Sequence, residues 1–132
     1  RHASLYWPVM LLVNGHGGNA TAIEAATSRL RYEGRQGYAW HAHVPGGDAH
    51  AGRTETSLLL AIAPDTVRLE QAAAGDTRPT SELMPLLREH GVREISPNGV
   101  LGDPAGASAA EGERLLADLG QRLATEIANK SP

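Results

Sequence analysis

The stretch Val9-Met10-Leu11-Leu12-Val13-Asn14-Gly15-His16-Gly17-Gly18-Asn19 decides the fold. Five consecutive apolar residues, closed by Asn14-Gly15, read as a parallel strand buried on both faces, because a half-solvated strand would alternate. Three glycines in the next six residues, 14–19, allow the backbone to turn sharply around a single histidine. Asn19 is a candidate cap for a helix starting near Ala20. The loop therefore lies at the carboxyl end of a strand, where open α/β sheets bind ligands, and the free N–H groups of the next helix face it. His16 reads as a metal ligand or a general base, against the plainer reading of an incidental histidine in a glycine-rich turn. The loop is neither a Walker A loop nor GxGxxG.

Outward from this stretch, Ile23, Ala26 and Leu30 recur at helical spacing and Gly34 ends the helix. Residues 38–44 read as a second strand, followed by the loop Pro45-Gly46-Gly47. A second helix is expected from Asp48 or Ala49 to Ile62, stopped by Pro64. Residues 67–79 lack periodicity. Residues 81–90 form a short helix with Leu83, Leu86 and Leu87 on one face and Gly91 at its end, and residues 92–95 read as a short strand. After a Gly- and Pro-rich loop, Ser108 and Glu111 have capping-box spacing, and Leu116, Leu119, Leu123 and Ile127 make one apolar stripe on a final helix. Strands alternating with helices imply an α/β fold with a mainly parallel sheet covered on both faces.

The 132 residues suit one domain, 1–132. The 12 Lys and Arg against 15 Asp and Glu give a net charge of −3, with no run of like charge, which argues against a nucleic-acid partner. Without cysteine there is no disulfide framework, thiolate metal site or cysteine nucleophile, which suits a cytoplasmic protein. No run of about 18 apolar residues is present to span a membrane. The chain opens on Arg1, and Leu5-Tyr6-Trp7-Pro8 runs straight into the first strand, which fits a processed terminus or the back half of a longer domain.

The second informative segment is Asp48-Ala49-His50-Ala51-Gly52-Arg53-Thr54-Glu55-Thr56-Ser57. Glu55, Leu58, Leu59 and Ile62 fall on one helical face, so Glu55 is expected to point at the core. A buried carboxylate must be protonated, paired or bound to metal. A metal-binding or catalytic role for Glu55 is weighed against simple compensation of the helix dipole. His50 lies near the head of the same helix. His41 and His43 share a strand face and are a weaker metal pair. His2 and His90 read as surface residues, and Tyr6-Trp7 as a core or interface pair. No serine sits in a GxSxG elbow.

Three segments together resemble the creatininase family of metal-dependent amidohydrolases: residues 13–19, then residues 48–52 with Glu55-Thr56-Ser57, then Gly99-Val100-Leu101-Gly102-Asp103-Pro104 with Ala107-Ser108-Ala109 and Glu111-Gly112. Residues 45–52 and 99–112 are similar to a branch of peptidases that remove a C-terminal Val-Tyr dipeptide from a modified precursor peptide. The resemblance implies a three-layer α/β/α sandwich, usually oligomeric, with divalent metal (Fe²⁺ or Zn²⁺, Mn²⁺ being a third option) at the carboxyl edge of the sheet. Carried over by position, His16 and Glu55 match metal ligands and His50 a catalytic histidine. Asn14, Gly17, Gly18, Asn19 and Asp48 are the implied substrate contacts. The family's first motif, which supplies a glutamate, a histidine and an aspartate to the metals, has no counterpart here, so the chain resembles the C-terminal portion of such a domain. The implied partners are a modified peptide substrate, further copies of the chain and a missing N-terminal segment. The rival readings are a creatinine or formamide amidohydrolase, and a truncated, inactive module that only oligomerises.

Overall fold

The computed structural model describes residues 2–130; Arg1, which opens the chain, and residues 131–132 lie outside them. The chain divides into two compact units, residues 1–43 with 119–132, and Val44–Asp118.

The first unit is built on a strand–helix–strand motif. Strands β1 (Val9–Asn14) and β2 (Gln36–His41) pair in parallel, from Val9 opposite Gln36 to Asn14 opposite His41. Helix α1 (Ala20–Tyr32) connects them. Its end is a Schellman motif: the Arg35 N–H reaches the Leu30 carbonyl at 2.9 Å and the Gly34 N–H the Arg31 carbonyl at 3.0 Å. Gly34 supplies the required left-handed turn, φ +72°. Leu30 is buried and lies flat on β2 because Gly37 has no side chain; a Cβ there would fall 2.8 Å from Leu30 Cδ1.

The first strand is less enclosed than its sequence predicts. Residues 9–12 are half-buried and Val13 is 56% exposed, while Asn14, the polar residue, is buried at 4%. The second strand begins and ends earlier than 38–44, because β1 stops at Asn14 and offers no backbone partner beyond His41 apart from the bond from Ala42 N–H to the Asn14 carbonyl, 2.8 Å. Tyr6 and Trp7 are exposed.

The second unit opens with the turn at Pro45-Gly46-Gly47, closed by the Gly47 N–H on the Val44 carbonyl. Helix α2 (Arg53–Ile62) starts later than Asp48 or Ala49. Residues 49–50 instead make an antiparallel bridge to Leu101: His50 N–H to the Leu101 carbonyl at 3.1 Å and Leu101 N–H to the His50 carbonyl at 2.8 Å. The backbone groups that a longer helix would use are committed to this bridge. Two 3₁₀ turns, Pro64–Thr66 and Leu69–Gln71, follow where no periodicity exists.

Helix α3 (Thr80–His90) buries Leu83 completely and half-buries Leu86 and Leu87, the expected face, and Gly91 (φ +74°) ends it. Residues 92–95 are helix α4 (Val92–Ile95), not a strand. Among the described residues no strand pairs with them, and the Ser96 N–H bonds the Val92 carbonyl at 2.8 Å, so the turn satisfies itself locally. Helix α5 (Ala109–Lys130) begins in the second unit and ends in the first. Ser108 caps it, accepting the Glu111 N–H at 3.2 Å. The Glu111 carboxylate does not close a capping box; it goes to Arg53 and Ser57. Among the described residues no helix is long and apolar enough to cross a membrane.

Candidate active site

In the first unit the site residues gather at the carboxyl ends of the two strands. Asn14 is the hub. Its Oδ1 accepts the His16 N–H at 3.2 Å, and its Nδ2 donates to the His16 carbonyl at 2.9 Å and meets His41 Nδ1 at 2.9 Å. The glycine-rich loop is thus braced from within by one buried amide. His16 precedes a 3₁₀ turn, Gly17–Asn19, headed by the N–H groups of Gly17 and Gly18. Its imidazole lies over Gly18: a Cβ there would fall 2.8 Å from Nε2. Asn19 stands at the head of α1 but its side chain makes no capping bond; Nδ2 turns back to Asn14 Oδ1 at 3.5 Å.

In the second unit Glu55 corrects the expectation of a core-facing carboxylate. The line Glu55, Leu59, Ile62 is the exposed face of α2, and the buried residue is Ser57. Apolar spacing pointed the wrong way because α2 packs through small residues: Gly112 of α5 lies against the Ser57 carbonyl and the Ala61 Cβ. Glu55 bends back over its own helix start. Its Oε2 accepts the Ala51 N–H at 2.6 Å and lies 3.1 Å from His50 Nδ1. The two side chains are 52% and 48% exposed, so the pair adds little stability. Its consequence is orientation: a carboxylate on Nδ1 leaves Nε2 as the acceptor, directed away from the pair. Between them Ala51 holds φ +52°, a left-handed conformation that costs a non-glycine residue about 1–2 kcal/mol.

Asp48 is half-buried and accepts the Thr54 N–H at 3.2 Å, compensating the start of α2. Gly52 and Gly102 enclose it so tightly that a Cβ on either would collide with the aspartate. Sequence reading did not find the network behind this segment. Arg53 Nε donates to both Glu111 oxygens at 3.1 and 2.8 Å, Ser57 Oγ donates to Glu111 Oε2 at 2.8 Å, and the Ser108 N–H donates to Ser57 Oγ at 3.1 Å. The Arg53 guanidinium, then the Ser57 hydroxyl, holds the Glu111 carboxyl below the usual glutamate range. Glu111 was legible as a capping residue and as part of a family motif but not as the partner of Arg53 and Ser57, which lie more than 50 positions away.

Among the described residues no group of three or more His, Asp or Glu side chains is placed to hold a metal ion. Glu55 Oε2 already serves Ala51 and His50. The donors shown in this chain therefore do not compose a divalent-metal site by themselves, since such a site takes about three protein ligands.

The family model described as creatinine amidohydrolase matches residues 7–127. Curated relatives carry the name mycofactocin precursor peptide peptidase; one from Mycolicibacterium smegmatis is 48% identical over 132 residues, and one from Mycobacterium tuberculosis 43%. Each alignment covers the whole chain and 53% of the relative, so the chain spans about half the length of the curated relatives it matches. A crystal structure of creatinine amidohydrolase (creatininase) superposes with a TM-score of 0.67 at 27% identity, over 92% of this chain and 56% of that one. With its parallel strands, covering helices and a match from residue 7 to residue 127, the chain belongs to the creatininase family.

Proposed function

We propose that this chain carries part of the machinery of an amide-bond hydrolase, and that its reaction is release of the C-terminal Val-Tyr dipeptide from the mycofactocin precursor peptide. The relatives' names and full coverage of this chain support the substrate. The observation that carries the chemistry is the His50–Glu55 pair, 3.1 Å apart and open to solvent. Glu55 holds the proton of His50 on Nδ1. Nε2 then takes a proton from the attacking water as its oxygen bonds to the scissile carbonyl carbon. The same proton passes to the leaving amine as the C–N bond breaks. Glu55 acts through His50 and is a positioning residue. The N–H groups of Gly17 and Gly18, and the side chains of Asn14 and Asn19, are proposed to hold the peptide's oxygens or the loop that meets them.

A divalent metal, Fe²⁺, Zn²⁺ or Mn²⁺, is part of the proposal as a property expected of the family, with His16 as its candidate ligand. Glu55 is better explained by His50. No step above passes through a metal.

The test is dipeptide release from the precursor peptide, followed by mass spectrometry on the active protein, wild type against His50→Ala. We expect loss of about 10²–10⁴-fold in rate. Equal rates would remove His50 from the reaction. The family's description favours one second reading, hydrolysis of creatinine or another small amide. A panel of cyclic amides beside the peptide separates the two.

A further inference from the structure

Asn14 ends β1, His41 ends β2, and the two are paired across the parallel sheet. The orientation of the buried Asn14 amide is not free. Oδ1 faces the His16 N–H and Nδ2 faces the His16 carbonyl, so a flip would set donor against donor and acceptor against acceptor. With one Nδ2 proton on that carbonyl, the other points at His41 Nδ1, 2.9 Å away. A ring nitrogen that accepts carries no hydrogen, so the His41 proton is on Nε2. This is the opposite of His50, whose Nδ1 faces a carboxylate.

His41 Nε2 has no hydrogen-bond partner among the described residues. His41 lines a cavity of about 330 Å³ together with Glu24, Arg31, Tyr38, Glu126 and Lys130, all within the first unit. That volume is at the lower end of small-ligand sites. The charged residues on the lining are two acids and two bases, and Lys130 Nζ is taken up by Glu126, 3.6 Å away, and by the Tyr38 ring, 4.8 Å from its centroid. His41 thus brings an N–H donor to a cavity whose charged lining residues balance.

We propose that His41 is a hydrogen-bond donor at a ligand site in this cavity, and that the ligand presents an uncharged carbonyl oxygen, as a peptide or amide does. Asn14 is its positioning residue, because it selects the tautomer. The tautomer follows from the Asn14 geometry and not from the hydrolytic reading above, and Asn14 is the one residue that the two share.

The experiment is long-range ¹H–¹⁵N NMR of the histidine rings in the labelled chain, followed by titration with a tripeptide blocked at both ends and, separately, with sodium acetate. We expect the Nε2–H tautomer for His41, a shift of its Nε2 resonance with the tripeptide, and none with acetate. In Asn14→Asp the carboxylate accepts where the amide donated, so the His41 proton moves to Nδ1 and the peptide response is lost. An Nδ1–H ring in the wild type, or an Nε2 unmoved by the tripeptide, overturns the proposal. An equal response to acetate overturns the ligand class. If Asn14→Asp does not fold, His41→Gln and His41→Leu replace it. Gln keeps a donor and should still bind the tripeptide, read as a shift of the Lys130 side chain on the same cavity, Leu should not, and identical behaviour of the two overturns the proposal.

Discussion

Gly112 lies directly against the main-chain carbonyl of Ser57, so close that a methyl group on Gly112 would overlap the oxygen. Helices α2 and α5 meet there backbone to backbone. Ser57, 0% exposed, uses its hydroxyl to tie Glu111 and the Ser108 N–H to the same point. Gly112→Ala is expected to destabilise the protein by about 1–3 kcal/mol through overpacking. Ser57→Ala is expected to cost about 1 kcal/mol, by leaving the Ser108 N–H and a Glu111 carboxylate oxygen short of a partner. Urea unfolding measures both, and a Gly112→Ala variant with the wild-type midpoint would show that the helices do not touch in this way.

The same network sets a direction for pH. Hydrogen bonds from Arg53 and then Ser57 lower the Glu111 carboxyl in the folded state, and the hydrogen bond from Arg78 does the same for Asp76. The folded state therefore binds the proton less readily than the unfolded state. The stabilisation is fully present above the ordinary carboxylate range and is lost as pH falls through the lowered folded values. Thermal melts below about pH 4.5 should fall less steeply in Glu111→Gln than in the wild type. Parallel curves would contradict the assignment.

Gly18→Ala would set a methyl group 2.8 Å from His16 Nε2, at the free end of a side chain that is able to swing away. Stability should change by no more than about 0.5 kcal/mol, as for an exposed substitution. The imidazole should move, seen as altered His16 ring shifts in NMR and as a changed rate of modification by diethylpyrocarbonate. Unchanged shifts and reactivity would show that the ring does not rest on Gly18.

Glu55→Gln separates orientation from stability. The exposed pair should contribute less than about 1 kcal/mol to folding. The amide nevertheless favours the wrong proton arrangement on His50, so kcat should fall by about 10²-fold or more with little change in KM. The rate should return toward wild type in Glu55→Asp, which keeps the carboxylate. A variant that melts early but turns over normally would make Glu55 a structural residue only.

Elements whose signals are local were legible in the residues. The apolar run before Asn14, the stop at Gly34, the face Leu83, Leu86, Leu87 and the Ser108 cap all stand where periodicity and turn chemistry put them. The misreadings share one cause. The late start of α2 follows from the bridge to Leu101, the exposure of Glu55 from a packing face of Ser57 and Ala61, and the helical residues 92–95 from the lack of a strand to pair with. Each depends on a partner distant in sequence or on a missing one.

The opening strand–helix–strand, the final helix, the two histidine-bearing loops and the family that their motifs share were determined by sequence alone, because backbone propensity and short motifs act within a few residues. Tertiary structure decided what each polar group does. Asn14 became the brace that sets the tautomer of His41, Asp48 the anchor of α2, Glu111 the partner of Arg53, and Glu55 the group that aims His50. A hydrogen bond is short-ranged and directional, so the role of such a side chain is defined only once folding has placed a donor or an acceptor about 3 Å from it.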